Sequence, residues 1–212
     1  MPQDASNSDS PSTGHGLPGR LVIVSGPSGA GKSTVVQRLL RECDLPLTMS
    51  VSATTRDPRP GETDGKDYLF ISSDEFNRRR EAGEFLECKE VFKLGRWYGT
   101  LRDQVASGLK AGQLVILEID VQGALNVLDN REFNPITLFI HPGSMDELEA
   151  RLRKRGTETE QAITARLETA AGEMRFMPQY QYEIINGSVD AAVAEICQIL
   201  RDQKENERCS KN

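Results

Sequence analysis

The chain has 212 residues and a net charge of −6 from 26 basic and 32 acidic side chains, which is room for one compact unit carrying smaller subdomains. Basic residues are spread along an acidic chain, so a general nucleic-acid-binding surface is excluded and any phosphate chemistry must be local. No apolar run approaches the roughly 20 residues of a membrane span, and the N-terminus lacks the charged-then-apolar order of a secretory signal, so a cytoplasmic protein without a membrane partner is expected.

Residues 1–18 are rich in Ser, Asp, Asn, Pro and Gly, a composition with too little apolar surface to offset ordering entropy, and a disordered tail is expected there. Leu21–Ser25 reads as a short strand, followed by a glycine-rich turn and a helix through Leu39 and Leu40. Cys43 is the first of four cysteines; with Cys88, Cys197 and Cys209 it forms no CxxC pair and has no His at ligand spacing. Free thiols are therefore expected, rather than a disulfide framework or zinc. From Ser52 to about Gly108 the elements are short and mixed, broken by Pro58, Pro60, Gly61, Gly65, Gly83, Gly95 and Gly99, the pattern of an insertion between core strands.

Further on, Leu114–Ile119, Ile136–Ile140 and Glu183–Ile185 are continuously apolar rather than alternating, as strands covered on both faces should be. Ser144-Met145-Asp146-Glu147 and Thr157-Glu158-Thr159-Glu160 carry capping-box patterns that predict two helix starts, with Gly156 as a stop between them. A last helix from Asp190 to Asp202 places Val189, Val193, Ile196 and Leu200 on one stripe, the signature of docking on a sheet.

One motif carries clear chemistry. Gly26-Pro27-Ser28-Gly29-Ala30-Gly31-Lys32-Ser33 fits GxxxxGK[ST] and lies between a predicted strand and a predicted helix, the context a phosphate-binding loop requires. Glycines let successive N–H groups turn inward, and the helix start adds its unpaired N–H groups and dipole. Lys32 supplies a point charge for the β- and γ-phosphates, and the Ser33 hydroxyl a ligand for Mg²⁺. Glu118 and Asp120, at the end of another strand and two residues apart, are expected on one side, either holding the metal or meeting the acceptor.

The loop alone does not name a reaction. Arg56 and Arg59 sit three apart on a proline-stiffened stretch, where forked guanidinium donors can grip a phosphate, although a plain surface pair has the same spacing. Here the chain resembles the guanylate kinase family, through GPSGAGKST, SVSATTRDPRPGE, DGKDYLF, EFLE, WYGT, LEIDVQGA, RLRKRGTETE and EIIN in that order, from Arg20 to about Leu200. The resemblance implies that Arg56, Arg59, Tyr68 and Tyr98 hold the GMP phosphate, and that Ser52, Glu87, Thr100 and Asp120 face guanine. It implies that Thr34 and Asn186 join the loop in binding ATP, and that Arg151, Arg155 and Arg166 belong to a lid reaching the phosphates.

Chemistry favours Glu87 as a reader of guanine, whose adjacent N1–H and N2–H₂ donors suit one carboxylate, whereas adenine presents a lone pair at N1. Exposed helix carboxylate, amphipathic packing and ordinary surface pairing remain the plain readings of Glu87, of Tyr68 and Tyr98, and of Arg151 with Glu147. The sequence departs from the family pattern at Lys93-Leu94-Gly95-Arg96, a longer link, at Trp97 in place of a common Tyr, and at Gly187 after Asn186. The fold expected is α/β: a P-loop kinase core with a central parallel sheet spanning 19–206, a mixed GMP-binding insertion at 52–108, a helical lid at 142–175 and a short tail at 207–212. The activity expected is phosphoryl transfer from ATP to GMP. A non-catalytic peptide-binding module of similar fold is the rival, disfavoured by the intact loop, and a kinase for another nucleoside monophosphate is a second, disfavoured by Glu87.

Overall fold

The structure is a computed structural model that describes residues 19–91, 95–130, 132–154 and 159–209. The expected tail at 1–18, Lys93 and Leu94 of the long link, the site candidate Arg155, and Gly156 and Thr157 lie outside these residues. In chain order the first half runs β1 (Arg20–Ser25), α1 (Lys32–Glu42), β2 (Leu47–Met49), β3 (Ala53–Thr54), β4 (Leu69–Phe70), α2 (Ser73–Glu81), β5 (Phe85–Val91) and β6 (Arg96–Leu101). The second half runs α3 (Arg102–Lys110), β7 (Leu114–Glu118), α4 (Val121–Asp129), β8 (Ile136–His141), α5 (Met145–Lys154), α6 (Glu160–Met174), β9 (Tyr182–Ile185) and α7 (Val189–Cys209).

Among the described residues the strands form two sheets. The central one has the order β2-β7-β1-β8-β9, with every pairing parallel. Side-chain alternation explains why its strands read as unbroken apolar runs. On β1, Val22 and Val24 face a core completed by Val35, Leu39, Val193 and Ile196 of α1 and α7, while Leu21 and Ile23 face one completed by Val105 of α3 and Val121, Ala124 and Val127 of α4. Ile116 of β7 joins the first core, Val115 and Leu117 the second. Helices thus cover both faces, and the ends of β1 and β7 open toward one rim, where ligands of open parallel sheets bind.

The second sheet, order β4-β3-β6-β5, is the expected insertion. β3 pairs with β4 in parallel, while β6 pairs antiparallel with β3 and β5. Its own small core joins Ala53, Phe76, Phe85 and Leu101, with the Phe76 and Phe85 rings stacked at 4.4 Å. A fourth apolar cluster, Leu148, Leu152, Ile163 and Ala170, holds α5 to α6.

Boundaries differ from the sequence reading in three places. Ser144 does cap α5, its Oγ accepting from the Glu147 N–H at 3.1 Å, but α6 starts later than the second capping pattern predicts. Thr159, not Thr157, is its N-cap, accepting from the Ala162 N–H at 3.3 Å. β7 ends at Glu118, so Asp120 is no strand residue; it caps α4, accepting from the Gly123 N–H at 2.8 Å. Finally α7 continues to Cys209, into the segment expected as a tail, beyond the two turns that Val193, Ile196 and Leu200 anchor to the sheet. The cysteines are free thiols, as expected.

Candidate active site

The glycine-rich turn leaves β1 at Ser25 and enters α1 at Lys32, with Gly26, Gly29 and Gly31 at φ +135°, +96° and +88°. These are left-handed values that residues with a Cβ avoid. At Gly26 there is no room either, since a Cβ would lie 2.0 Å from the Ile140 carbonyl oxygen. No side chain caps α1 and its first turn holds no acid, so its terminal N–H groups and dipole face the turn uncompensated, the arrangement that suits an anion. The Lys32 ammonium folds over the turn, donating to the carbonyls of Gly26 at 2.7 Å and Pro27 at 3.0 Å. Desolvation lowers its pKa, against the opposing pull of Glu118, Glu173 and Asp120. Ser33 and Thr34 are exposed on the first turn, and the Ser33 hydroxyl donates to Glu118 Oε1 at 2.5 Å.

Two further elements brace the loop. Leu148 and Leu152 of α5 approach Gly29 closely enough that a Cβ there would meet their methyl groups. Asn186, just after β9, is buried and its side-chain amide donates to the Ala30 carbonyl at 2.8 Å, while its backbone carbonyl accepts from Arg151 at 2.6 Å. Arg151 also pairs with Glu147 at 2.9 Å. Both the surface pair and the reach toward the site are therefore present in one side chain. Arg166 lies half-buried on α6. From the same helix Glu173 comes close enough to Lys32 to feel its charge, and burial pushes the Glu173 carboxyl upward.

Across the rim, Arg56 follows β3 and is buried. Its guanidinium makes a fork to Glu62 at 2.7 and 2.9 Å, donates through Nε to the Tyr98 hydroxyl at 3.0 Å, and lies over the Tyr68 ring at 5.2 Å. The Arg56 bonds, with the Arg59 N–H adding another at 2.7 Å, hold the Glu62 carboxyl down at about 2. Tyr68 and Tyr98 meet edge to face at 5.7 Å. Arg59 itself stays exposed. The two arginines thus differ: one is a donor fixed against Tyr68 and Tyr98, the other a surface side chain.

A cavity of about 170 Å³ lies between the two sheets, lined by Ser52, Tyr68, Glu87, Lys89, Tyr98 and Asp120 among others. Glu87 stands on β5 opposite Thr100 of β6, whose hydroxyl donates to Glu87 Oε1 at 2.8 Å. Burial raises the Glu87 pKa, the Thr100 bond opposes that, and Asp120 adds to it. Gly123 keeps the second carboxylate oxygen accessible, because a Cβ there would sit 3.2 Å from Glu87 Oε2 and 3.3 Å from Asp120 Oδ1. The structure therefore brings together a glycine-rich turn with a bare helix start, a fixed guanidinium and a carboxylate with one oxygen to spare.

A family model described as guanylate kinase matches residues 18–203. A guanylate kinase of Rhodopirellula baltica is 65% identical over 209 residues, covering 99% of each chain. The chain belongs to the guanylate kinase family. One of Desulfitobacterium hafniense is 47% identical over 191 residues, 90% of this chain and 92% of that one. The crystal structure of guanylate kinase from Anaplasma phagocytophilum superposes with a TM-score of 0.70 at 35% identity, covering 88% of this chain and 86% of that one.

Within this guanylate kinase, the residues that sequence reasoning missed are Glu62, Lys89 and Glu173. Glu62 had a visible signal, since a carboxylate six residues after Arg56 across Pro58, Pro60 and Gly61 has the turn needed to meet it. Lys89 had a fainter one, its place two residues after Glu87 on one strand face. Glu173 had none, because its position depends on how α6 packs.

Proposed function

We infer that this guanylate kinase moves the γ-phosphoryl of ATP onto GMP, giving ADP and GDP, by alignment and charge neutralisation without a general base. The observation carrying the reading is that the phosphate turn and the Glu87 pocket open on one rim, joined by the acids of the β7–α4 connection. A monophosphate oxygen is already an anion near neutral pH, so no proton need be removed before it attacks.

ATP phosphates would occupy the Gly26–Ser33 turn, with Lys32 turning from the Gly26 and Pro27 carbonyls toward the β- and γ-oxygens. Thr34 and Asn186 would complete the ATP side. GMP would place its phosphate against Arg56, Arg59, Tyr68 and Tyr98, and its base against Ser52, Glu87, Thr100 and Asp120. Arg151, Arg155 and Arg166 would close over the transferring group and keep water out, suppressing hydrolysis. The Ser33 hydroxyl beside the Glu118 carboxylate is a pair of hard oxygen donors that fits Mg²⁺ bound mainly through phosphates and water. Bound there, Mg²⁺ would neutralise phosphate charge.

No helix among the described residues is long and apolar enough to cross a membrane, and action on nucleotides in the cytoplasm fits that observation. The test is a coupled assay of ADP release with GMP, AMP, CMP and UMP in turn. Turnover is expected with GMP and far less with the others; equal turnover across bases would overturn the reading of Glu87, and none with any would favour the non-catalytic alternative.

A further inference from the structure

Among the described residues Lys89 is the one cation lining the cavity between the sheets, beside the carboxylates of Glu87, Glu118 and Asp120. Alternation on β5 puts it on the same face as Glu87, and it is in register with Tyr98 as Glu87 is with Thr100. Its ammonium pairs with Asp120 Oδ2, while Asp120 Oδ1 caps α4 through the Gly123 N–H. Both oxygens of Asp120 are thereby engaged, one by each side of the cavity. Lys89 ties the insertion sheet to the helix that follows β7, and it offsets a cavity whose other charges repel the anion that must bind there.

We propose that Lys89 is a positioning residue of the acceptor pocket, holding the Asp120 carboxylate in place and lowering the charge repulsion that the nucleoside monophosphate meets. The proposal rests on the reading of this cavity as the GMP site. Lys89 also faces Glu87 closely enough to favour its ionised form, against Asp120 and burial. Tyr68 and Tyr98 are the other titratable groups on that wall, and Glu118 stands on the opposite side. A charged Glu87 accepts two donors at once; a protonated one does not.

The experiment is steady-state kinetics on wild type, Lys89→Met, Lys89→Arg, Asp120→Asn and the Lys89→Met/Asp120→Asn double variant, varying GMP at saturating ATP and then ATP at saturating GMP. Lys89→Met should raise KM for GMP about five- to tenfold, with kcat within about twofold and KM for ATP unchanged. Lys89→Arg should recover most of that loss. The double variant should be less impaired than the product of the single effects, because the stranded carboxylate charge is gone. The acidic limb of kcat/KM for GMP should move to higher pH in Lys89→Met. An unchanged KM for GMP overturns the proposal. So does a fall in melting temperature with kcat and both KM values affected alike, which would make Lys89 a structural prop. If wild type itself fails to turn over GMP, it is the reading of the pocket that falls.

Discussion

Replacing Glu87 by Gln separates what this side chain does for the fold from what it does for the substrate. In the free protein Oε1 accepts from Thr100 at 2.8 Å, and Oε2 is kept accessible by the missing side chain of Gly123. Guanine N1–H and N2–H₂ would need an acceptor pair; Gln offers one acceptor and one donor, and removes the charge. One charge-assisted bond is lost and one donor faces a donor, a cost of about 2–3 kcal/mol, or roughly 30- to 150-fold in kcat/KM for GMP. AMP should lose far less, since the amide can donate to adenine N1. Stability should move the other way. The folded Glu87 pKa is raised by burial, so its contribution is fully present below the unfolded value and is lost as pH rises through the folded one. At neutral pH the ionised group is therefore a liability that Gln removes, and the melting temperature of Glu87→Gln should equal or exceed that of wild type. The assays are kcat/KM for GMP and AMP with ATP saturating, beside thermal melts at pH 7.5. Equal losses for both nucleotides, with a lower melting temperature, would refute the reasoning and leave Asp120 as the next candidate for reading the base.

Lys32→Ala should abolish phosphoryl transfer while circular dichroism stays that of the wild type, since its ammonium bonds only carbonyls of the turn; normal turnover would remove the phosphate assignment. Gly26→Ala should cost at least about 3 kcal/mol in urea unfolding, from left-handed strain and a Cβ driven against the Ile140 carbonyl; wild-type stability would show that the turn yields. Glu62→Gln bears on acid stability. With the Glu62 carboxyl depressed from 4.5 to about 2, its contribution is present above 4.5 and lost as pH falls toward 2. Wild type should therefore lose its advantage over Glu62→Gln across that window, and a constant gap between them from pH 7 to pH 2 would contradict it. The same variant loosens Arg56 and should raise KM for GMP more than KM for ATP.

The phosphate turn was legible because its chemistry is local: strand, glycines and helix start are consecutive, and their geometry follows from backbone rules. The three long core strands were legible because burial on both faces removes alternation. What escaped depends on distant parts meeting. Nothing near Asp120 in sequence announces that it caps a helix while Lys89, 31 residues earlier, takes its other oxygen. Arg56 and Arg59 look equivalent on a line of letters, yet the Arg56 guanidinium is gripped by Glu62, Tyr68 and Tyr98, while Arg59 meets Glu62 through its backbone N–H. Thr157 has the capping-box Glu three residues on, at Glu160, and Thr159 has only Ala162 there, yet Thr159 is the cap of the helix whose Ile163 packs on Leu148 and Leu152.

The two sheets also divide the labour of inheritance. The glycine-rich turn proposed for the donor phosphates hangs from β1 and α1, with braces at α5 and β9, whereas Glu87, Lys89, Tyr98 and Thr100 lie on one antiparallel ribbon, β5–β6, rooted in its own small core. Substitutions on the cavity-lining face of that ribbon touch none of the hydrogen bonds that shape the Gly26–Ser33 turn. A lineage exploring new acceptors need not pass through a stage in which the donor is lost, and a laboratory library confined to those ribbon positions has the same freedom.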